Sequence, residues 1–183
     1  SRGSGPGEFD RPGDVDVDGS GNIYVAEHSR VQKFDSTGAF VLELGSLGSG
    51  SGGFDGAGVG VNTSTGDVYV TDSNNDRVQR FNSNGAFLSQ FGTSGSGDGE
   101  FCRPVDVAVD DSGDVYVADY CNGRVQKFDS DGTYLIEWGT SGDAPGEFCG
   151  AADLELDGSG ARHAADPFND RVQKFDSNGN LLA

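Results

Sequence analysis

The feature that most constrains this chain is a motif that returns at a fixed interval. The tripeptide Arg-Val-Gln begins at four positions that are 47 residues apart: Arg30, Arg77, Arg124 and Arg171. A second motif, Gly-Glu-Phe or Gly-Gly-Phe, precedes each copy and ends at Phe9, Phe54, Phe101 and Phe148. A period of this length is typical of architectures in which one small supersecondary unit is repeated. The 183 residues therefore contain four copies of one unit.

Each unit contains four segments with the character of a β-strand. In the first, apolar residues alternate with small or polar ones, as in a half-buried strand (Val15, Val17; Val107, Val109). The second (IYVAE, VYVTD, VYVAD) and the third (RVQKFD, RVQRFN) are rich in β-branched and aromatic residues. A turn such as DSTG or NSNG, ending in Gly, precedes the fourth. This pattern predicts an all-β chain, a β-propeller of about four four-stranded blades, at approximately 7–51, 52–98, 99–145 and 146–183.

The stretch DVDVDGSGN in the first unit matches the opening half of an EF-hand calcium loop, with acids at Asp14, Asp16 and Asp18. The twelfth position, where a bidentate Glu would end such a loop, is Val25. The column of Asp16 holds Gly60, Ala108 and Glu155 in the other units. In the column of Asp18, short oxygen-bearing side chains precede turn residues and can bond backbone amides. We therefore interpret the stretch as a strand and a tight turn.

Two units depart from the pattern. In blade 1 the loop between the second and third strands is two residues shorter, and Glu27 takes the place of the usual Asp. In blade 4 the second strand reads ARHAAD, with His163 in the Tyr column and Ala164 in the Val column. Less buried apolar surface makes a strand less stable, so we expect blade 4 to be the least protected part of the chain.

Three arrangements of the blades are open: a ring of four, a ring completed by more chain, or an assembly of copies. The chain has no methionine, even at position 1, from which we expect a processed chain or part of a longer one. In an open arrangement the outer faces of blades 1 and 4 are exposed and complementary, and unlike faces make head-to-tail contacts. We favour an assembly or a longer parent protein over a closed monomer.

The charge of the chain limits its partners. The formal net charge is -18 at pH 7, and such a surface repels phosphate backbones, which argues against nucleic acid as a partner. No apolar run approaches the length of a bilayer span, so we expect no transmembrane segment. An acidic composition of this kind also suits a saline or extracellular setting.

The third unit, from Gly99 to Gly139, carries a recognisable pattern: G-x-F-x-x-P, then DVAVD-x-x-G-x-VYVAD-x-x-N-x-RVQKFD. This pattern resembles the NHL repeat, and the resemblance extends over nearly the whole chain. It implies a β-propeller, commonly of six blades around a central channel.

Three cysteines bear on the compartment. Cys102 lies in the linker that enters blade 3 and Cys121 in the next loop at the same end, so they either meet as a disulfide or are two unpaired thiols. The run FC-x-P-x-DVAVD…YCN-x-R is also similar to the propeller of peptidyl-hydroxyglycine amidating lyase, whose two cysteines are paired. That resemblance implies a Cys102–Cys121 bridge and an extracellular or cell-surface location. Cys149 is left over, either free or intermolecular.

The same resemblance places a catalytic tyrosine at Tyr120, but its zinc ligands are not matched. The corresponding positions are Gly13, Ala57, Val105 and Ala152, which cannot bind zinc. The only histidines, His28 and His163, lie in different blades. We therefore predict that Tyr120 covers the end of a blade. The acids of one strand column leave a Ca²⁺ site open: Asp14, Asp106 and Asp153.

An Asp and an Arg five residues apart flank the loop between the second and third strands in three blades: Asp72/Arg77, Asp119/Arg124 and Asp166/Arg171. We predict ion pairs that hold the loop, helped by Asn75, Asn122 and Asn169. Repetition argues for a structural role, because a catalytic site needs unlike residues in one place. We expect these pairs to be exposed, and each exposed pair of this kind contributes only ~0–1 kcal/mol.

These observations favour a non-catalytic structural or protein-interaction module whose partners are proteins, including other copies of the chain, and which needs no cofactor. The alternative is a propeller enzyme of the lyase or lactonase type with a metal-assisted site at the mouth of the channel. An RNA-binding NHL domain is a third hypothesis, and the charge opposes it.

Overall fold

The computed structural model describes residues 2–56, 58–157 and 159–183, and nearly all regular structure in it is β-strand. Blade 1 contains Asp14–Val17, Ile23–Ala26, Val31–Phe34 and Phe40–Leu44. Blade 2 contains Val59–Val61, Val68–Asp72, Arg77–Phe81 and Phe87–Phe91. Blade 3 contains Pro104–Val109, Val115–Asp119, Arg124–Phe128 and Tyr134–Trp138. In each blade, strands that follow one another in sequence pair antiparallel.

In the described residues of blade 4 there are three strands, Asp153–Leu156, Arg162–Asp166 and Arg171–Phe175. A single antiparallel bridge between Phe175 and Leu181 stands where the other blades have a fourth strand. The linkers between blades form short parallel pairs, Ser46–Leu47 with Gly53–Phe54 and Thr93–Ser94 with Glu100–Phe101. Two 3₁₀ turns, Ser73–Asn75 and Pro167–Asn169, lie in the loops of blades 2 and 4. The predicted propeller of about four blades is confirmed.

The hydrophobic core lies between the blades, in three separate clusters. One half of each cluster comes from the second and third strands of one blade, and the other half from the next blade's linker Phe and strands. The clusters include Tyr24, Val31, Phe54 and Val59; Tyr69, Val78, Phe101 and Val107; and Tyr116, Val125, Phe148 and Leu154. Because each sheet buries its apolar faces against its neighbours, stability arises from the contacts between consecutive blades.

The first strand of each blade, here called the inner strand, faces the inner strands of its neighbours. Between blades 2 and 3 they approach closely: a Cβ on Gly58 would lie 2.5 Å from the Val105 carbonyl oxygen, and one on Gly60 would lie 2.3 Å from that of Val107. Only glycine permits this approach. The GVGV sequence of blade 2 is therefore a packing requirement.

The two end blades each leave one face uncovered. Val15 and Val17 of blade 1 are 59% and 46% exposed, whereas Val59 and Val107, in the column of Val15, are 3% and 2% exposed. On blade 4, Val172 is 64% exposed, and its counterparts in the three preceding blades are fully buried (Val31, Val78, Val125). The four blades form an open array in which both terminal faces are exposed, as expected for an unclosed ring.

Candidate functional site

The predicted ion pairs form the centre of a larger cluster, here called the linker clamp. In blade 3 the clamp is built around Asp119, which is fully buried. Arg124 Nε donates to Asp119 Oδ2 at 2.8 Å, and Asn122 Nδ2 donates to the same oxygen at 2.9 Å. The Cys102 N–H donates to Asp119 Oδ1 at 2.8 Å. The carboxylate thus joins the loop to the linker that enters the blade.

Blades 2 and 4 repeat this geometry. Asp72 accepts from Arg77, Asn75 and the Asp55 N–H, and Asp166 accepts from Arg171, Asn169 and the Cys149 N–H. The expectation that such pairs are exposed is wrong: the side chains of Asp72 and Asp119 are fully buried, and those of Arg77 and Arg124 are 10% and 6% exposed. The linker folds over the pair, which removes it from water.

Blade 1 builds the same clamp with Glu27. Glu27 Oε1 accepts from Arg30 Nε at 3.0 Å and from Gln32 Nε2 at 2.6 Å, and Oε2 accepts from the Asp10 N–H at 2.6 Å. The loop is two residues shorter in blade 1, and the longer side chain of Glu compensates by reaching both partners. The pairs were predicted in three blades only, so this fourth clamp was missed, although Glu27 in the Asp column was the available signal.

Sequence reasoning missed the glutamine of the Arg-Val-Gln motif. Gln126 is fully buried; its Nε2 donates to the Glu100 carbonyl oxygen at 2.7 Å, and its Oε1 accepts from the Gly99 N–H at 2.9 Å. The other blades repeat both bonds through Gln32, Gln79 and Gln173. The signal was available, because the Gly-Glu-Phe and Arg-Val-Gln motifs recur together. They recur because the glutamine binds the linker backbone.

The opening acidic stretch is a turn, as interpreted from the repeat. Asp18 Oδ1 accepts from the N–H groups of Ser20 and Asn22, both at 2.9 Å, and Asp18 Oδ2 accepts from Tyr24 Oη at 3.1 Å. Asp110 makes the same kind of turn in blade 3 and Asp157 in blade 4. These carboxylates are engaged by their own turns.

The inner strands of all four blades line a cavity of about 300 Å³, which contains the predicted acid column of Asp14, Asp106 and Asp153. Two of these acids bind the neighbouring blade. Asp14 Oδ2 accepts from the Val59 N–H at 2.7 Å, and Asp106 Oδ2 accepts from the Leu154 N–H at 2.6 Å. Asp16 does the same with the Val61 N–H at 2.7 Å. In blade 4, Asp153 and Glu155 are exposed.

Burial dominates the electrostatics of this cavity. It raises the pKa of Asp106 well above its usual 3.8, and the nearby charges of Asp14 and Asp153 add to the shift. Burial likewise raises the pKa of Asp16 and, with Asp16 as the next cause, that of Glu155. Within the described residues, no group of three or more His, Cys, Asp or Glu side chains is arranged to hold a metal ion.

The two histidines do not come together. His28 Nε2 lies 2.8 Å from Asp55 Oδ1, and His163 Nε2 lies 3.0 Å from Asp157 Oδ2, in separate parts of the array. Each is paired with one carboxylate, which is a common role for a surface histidine.

Tyr120 lies at the end of blade 3, beside an apolar pocket of about 360 Å³. Its ring centroid is 6.3 Å from that of Phe168 and 5.6 Å from the Arg103 guanidinium. The covering role of Tyr120 stays a prediction.

Cys102, Cys121 and Cys149 are free thiols. The first two are neighbours: the Cys121 N–H donates to the Cys102 carbonyl oxygen at 3.0 Å, and a hydrogen bond with Cys121 raises the pKa of the Cys102 thiol to about 11. The bridge between them stays a prediction.

Four consecutive antiparallel sheets, inner strands around one cavity and a clamp repeated in every blade define a β-propeller. A family model, the NHL repeat, matches residues 57–81 and 101–128, in blades 2 and 3. The chain is a β-propeller that carries NHL repeats in its second and third blades.

Solved propellers share the fold at low sequence identity. A streptogramin B lyase is 16% identical, with a TM-score of 0.68 over 92% of this chain and 52% of its own. Virginiamycin B lyase from Staphylococcus aureus is 14% identical, with a TM-score of 0.69 over 94% and 54%. A gluconolactonase from Xanthomonas campestris is 18% identical, with a TM-score of 0.65 over 90% and 57%.

The chain thus spans little more than half the length of these structures. A comparison with curated proteins found no match. The described part of the chain holds no helix with the length and hydropathy of a membrane span.

Proposed function

We propose that the chain is a non-catalytic structural module that binds other proteins, including copies of itself, through the uncovered faces of its end blades. The observation that carries this proposal is that acids on the inner strands form hydrogen bonds between blades. Asp14, Asp16 and Asp106 each accept a backbone N–H from the next blade, so they act in packing. The recurring Asp–Arg pairs are likewise occupied in binding linkers.

The second candidate is a propeller enzyme with a metal-assisted site at the channel mouth. It is favoured by the cavity of about 300 Å³ and by the exposed acids Asp153 and Glu155 at its edge. Several solved neighbours are enzymes by name, a lyase and a gluconolactonase among them. Their identity to this chain is below 20%, so they inform the fold and not the activity.

Calcium titration by calorimetry separates the two candidates. We expect no stoichiometric binding, because the buried carboxylate of Asp106 is committed to backbone N–H groups. Tight binding of one ion per chain, abolished in both D106N and D153N, would favour the enzyme. The D67N variant is a control for non-specific attraction, because Asp67 pairs with Arg80 outside the cavity.

We further propose an extracellular or cell-surface location. The acidic composition supports it. The predicted Cys102–Cys121 bridge is the second support, since disulfides persist in oxidising compartments.

A further inference from the structure

The three interfaces inside the chain follow one plan, made of two unlike halves. The first half is the apolar face of the second and third strands, represented by Val31, Val78 and Val125. The second half is the inner strand of the following blade, represented by Val59, Val107 and Leu154. Each half is buried only because the other covers it.

One unused copy of each half remains at the ends of the chain. On blade 4, Val172 stands in the column of Val78 and is 64% exposed. On blade 1, Val15 stands in the column of Val107 and is 59% exposed. Two exposed faces that correspond to the two sides of an existing interface are complementary to each other.

A polar contact of one internal interface, between blades 2 and 3, also has its two residue types at the ends of the array. Between blades 2 and 3, Asp76 Oδ1 accepts from the Arg103 N–H at 2.8 Å. Both residues have left-handed backbone, with φ of 52° and 56°. Asp170 of blade 4 and Arg11 of blade 1 occupy the same two positions, and their φ values are also 52° and 56°. Positive φ is uncommon outside glycine, so the ends already hold the backbone geometry of this contact.

We propose that blade 4 of one copy binds blade 1 of a second copy head-to-tail, with Val172 against Val15 and Val17, and Asp170 accepting the Arg11 N–H. This inference rests on the proposed function and names its partner and its surface. Two unlike faces on one chain generate rings if the rotation closes and filaments if it does not. Because each copy carries a net charge of -18, the contact strengthens as salt screens the repulsion.

The test is sedimentation equilibrium in high salt on the unmodified chain, V15D and V172D. V15D blocks one face and V172D the other, so each variant alone should have the mass of one chain. An equimolar mixture should form a dimer and stop there, because the only intact faces are blade 4 of V15D and blade 1 of V172D. The control V41D changes a valine that is 48% exposed on the outer strand of blade 1, and it should associate like the unmodified chain.

A mixture that remains at one chain, or that grows beyond two, overturns the inference, as does a V172D variant that associates like the unmodified chain. If either Asp variant loses the circular dichroism of the β-sheets, the milder pair V15S and V172S carries the same test. An unmodified chain that stays at one copy while binding no calcium refutes this inference alone. Stoichiometric calcium binding would instead contradict the proposed non-catalytic function.

Discussion

Removal of the Asp119 carboxylate tests the linker clamp most sharply. Asp119→Ala leaves the guanidinium of Arg124, only 6% exposed, without its buried partner, and leaves the Cys102 N–H without an acceptor. Loss of one partner from a buried ion pair costs about 3–5 kcal/mol in the free energy of unfolding. The remaining contact of Arg124 with Glu137, at 2.5 Å, favours the lower end of that range. For a chain of this size, each kcal/mol lowers the melting temperature by roughly 2–4 °C.

Asp166→Ala is the matched control. Asp166 is equally buried, but its partner Arg171 is 24% exposed and can be hydrated when the carboxylate is lost. We therefore expect a smaller loss of about 2 kcal/mol, between the values typical of exposed and buried pairs. Both clamps consist of Asp, Asn and Arg; they differ in the burial of the Arg and in the Glu137 contact of Arg124, which reduces the expected difference.

The assay is urea unfolding followed by the fluorescence of Trp138, the only tryptophan. Its ring is 6.0 Å from that of Tyr116 and 6.1 Å from that of Phe175, so it reports on the interface of blades 3 and 4. Equal losses below about 1 kcal/mol in both variants would show that these pairs behave as exposed ones. A larger loss in the Asp166 variant would refute the reasoning from burial.

Three further outcomes are expected. The pKa of Asp106 is raised above 3.8 in the folded chain, so its contribution to stability is present at low pH and is lost as the pH rises through the raised value. The free energy of unfolding of the unmodified chain, relative to that of D106N, should therefore fall between pH 4 and pH 7, and a rise would contradict this sign. Amides of Arg162–Asp166 should exchange with deuterium faster than those of Val115–Asp119, because His163 and Ala164 replace Tyr and Val; equal protection would refute the predicted weakness of blade 4. Non-reducing peptide mapping of the chain should recover Cys102 linked to Cys121, and recovery of both as free thiols would remove the main support for an extracellular location.

The sequence predicted the fold well because its interval is long and its motifs are strict. The 47-residue spacing locates each blade. The equivalent pair of Glu27 and Arg30 in blade 1 was missed, because the shorter loop changes the spacing between the acid and the Arg.

Burial and contacts between blades could not be predicted in the same way. Nothing in the residue pattern shows that the linker covers Asp119 and Arg124, so the ion pairs were expected to be exposed. The acid column of Asp14, Asp106 and Asp153 suggested a cation site, because the sequence shows which residue types share a column. It does not show that Asp106 Oδ2 accepts from the Leu154 N–H, which depends on how closely the inner strands approach.

The most direct test of the proposed head-to-tail contact is the mass of the unmodified chain, measured in high salt over a wide range of concentrations. The proposed contact between blade 4 of one copy and blade 1 of another predicts a mass above one chain at high concentration that returns to one chain on dilution. A mass of one chain at every concentration would contradict the assignment of these faces as two halves of one interface.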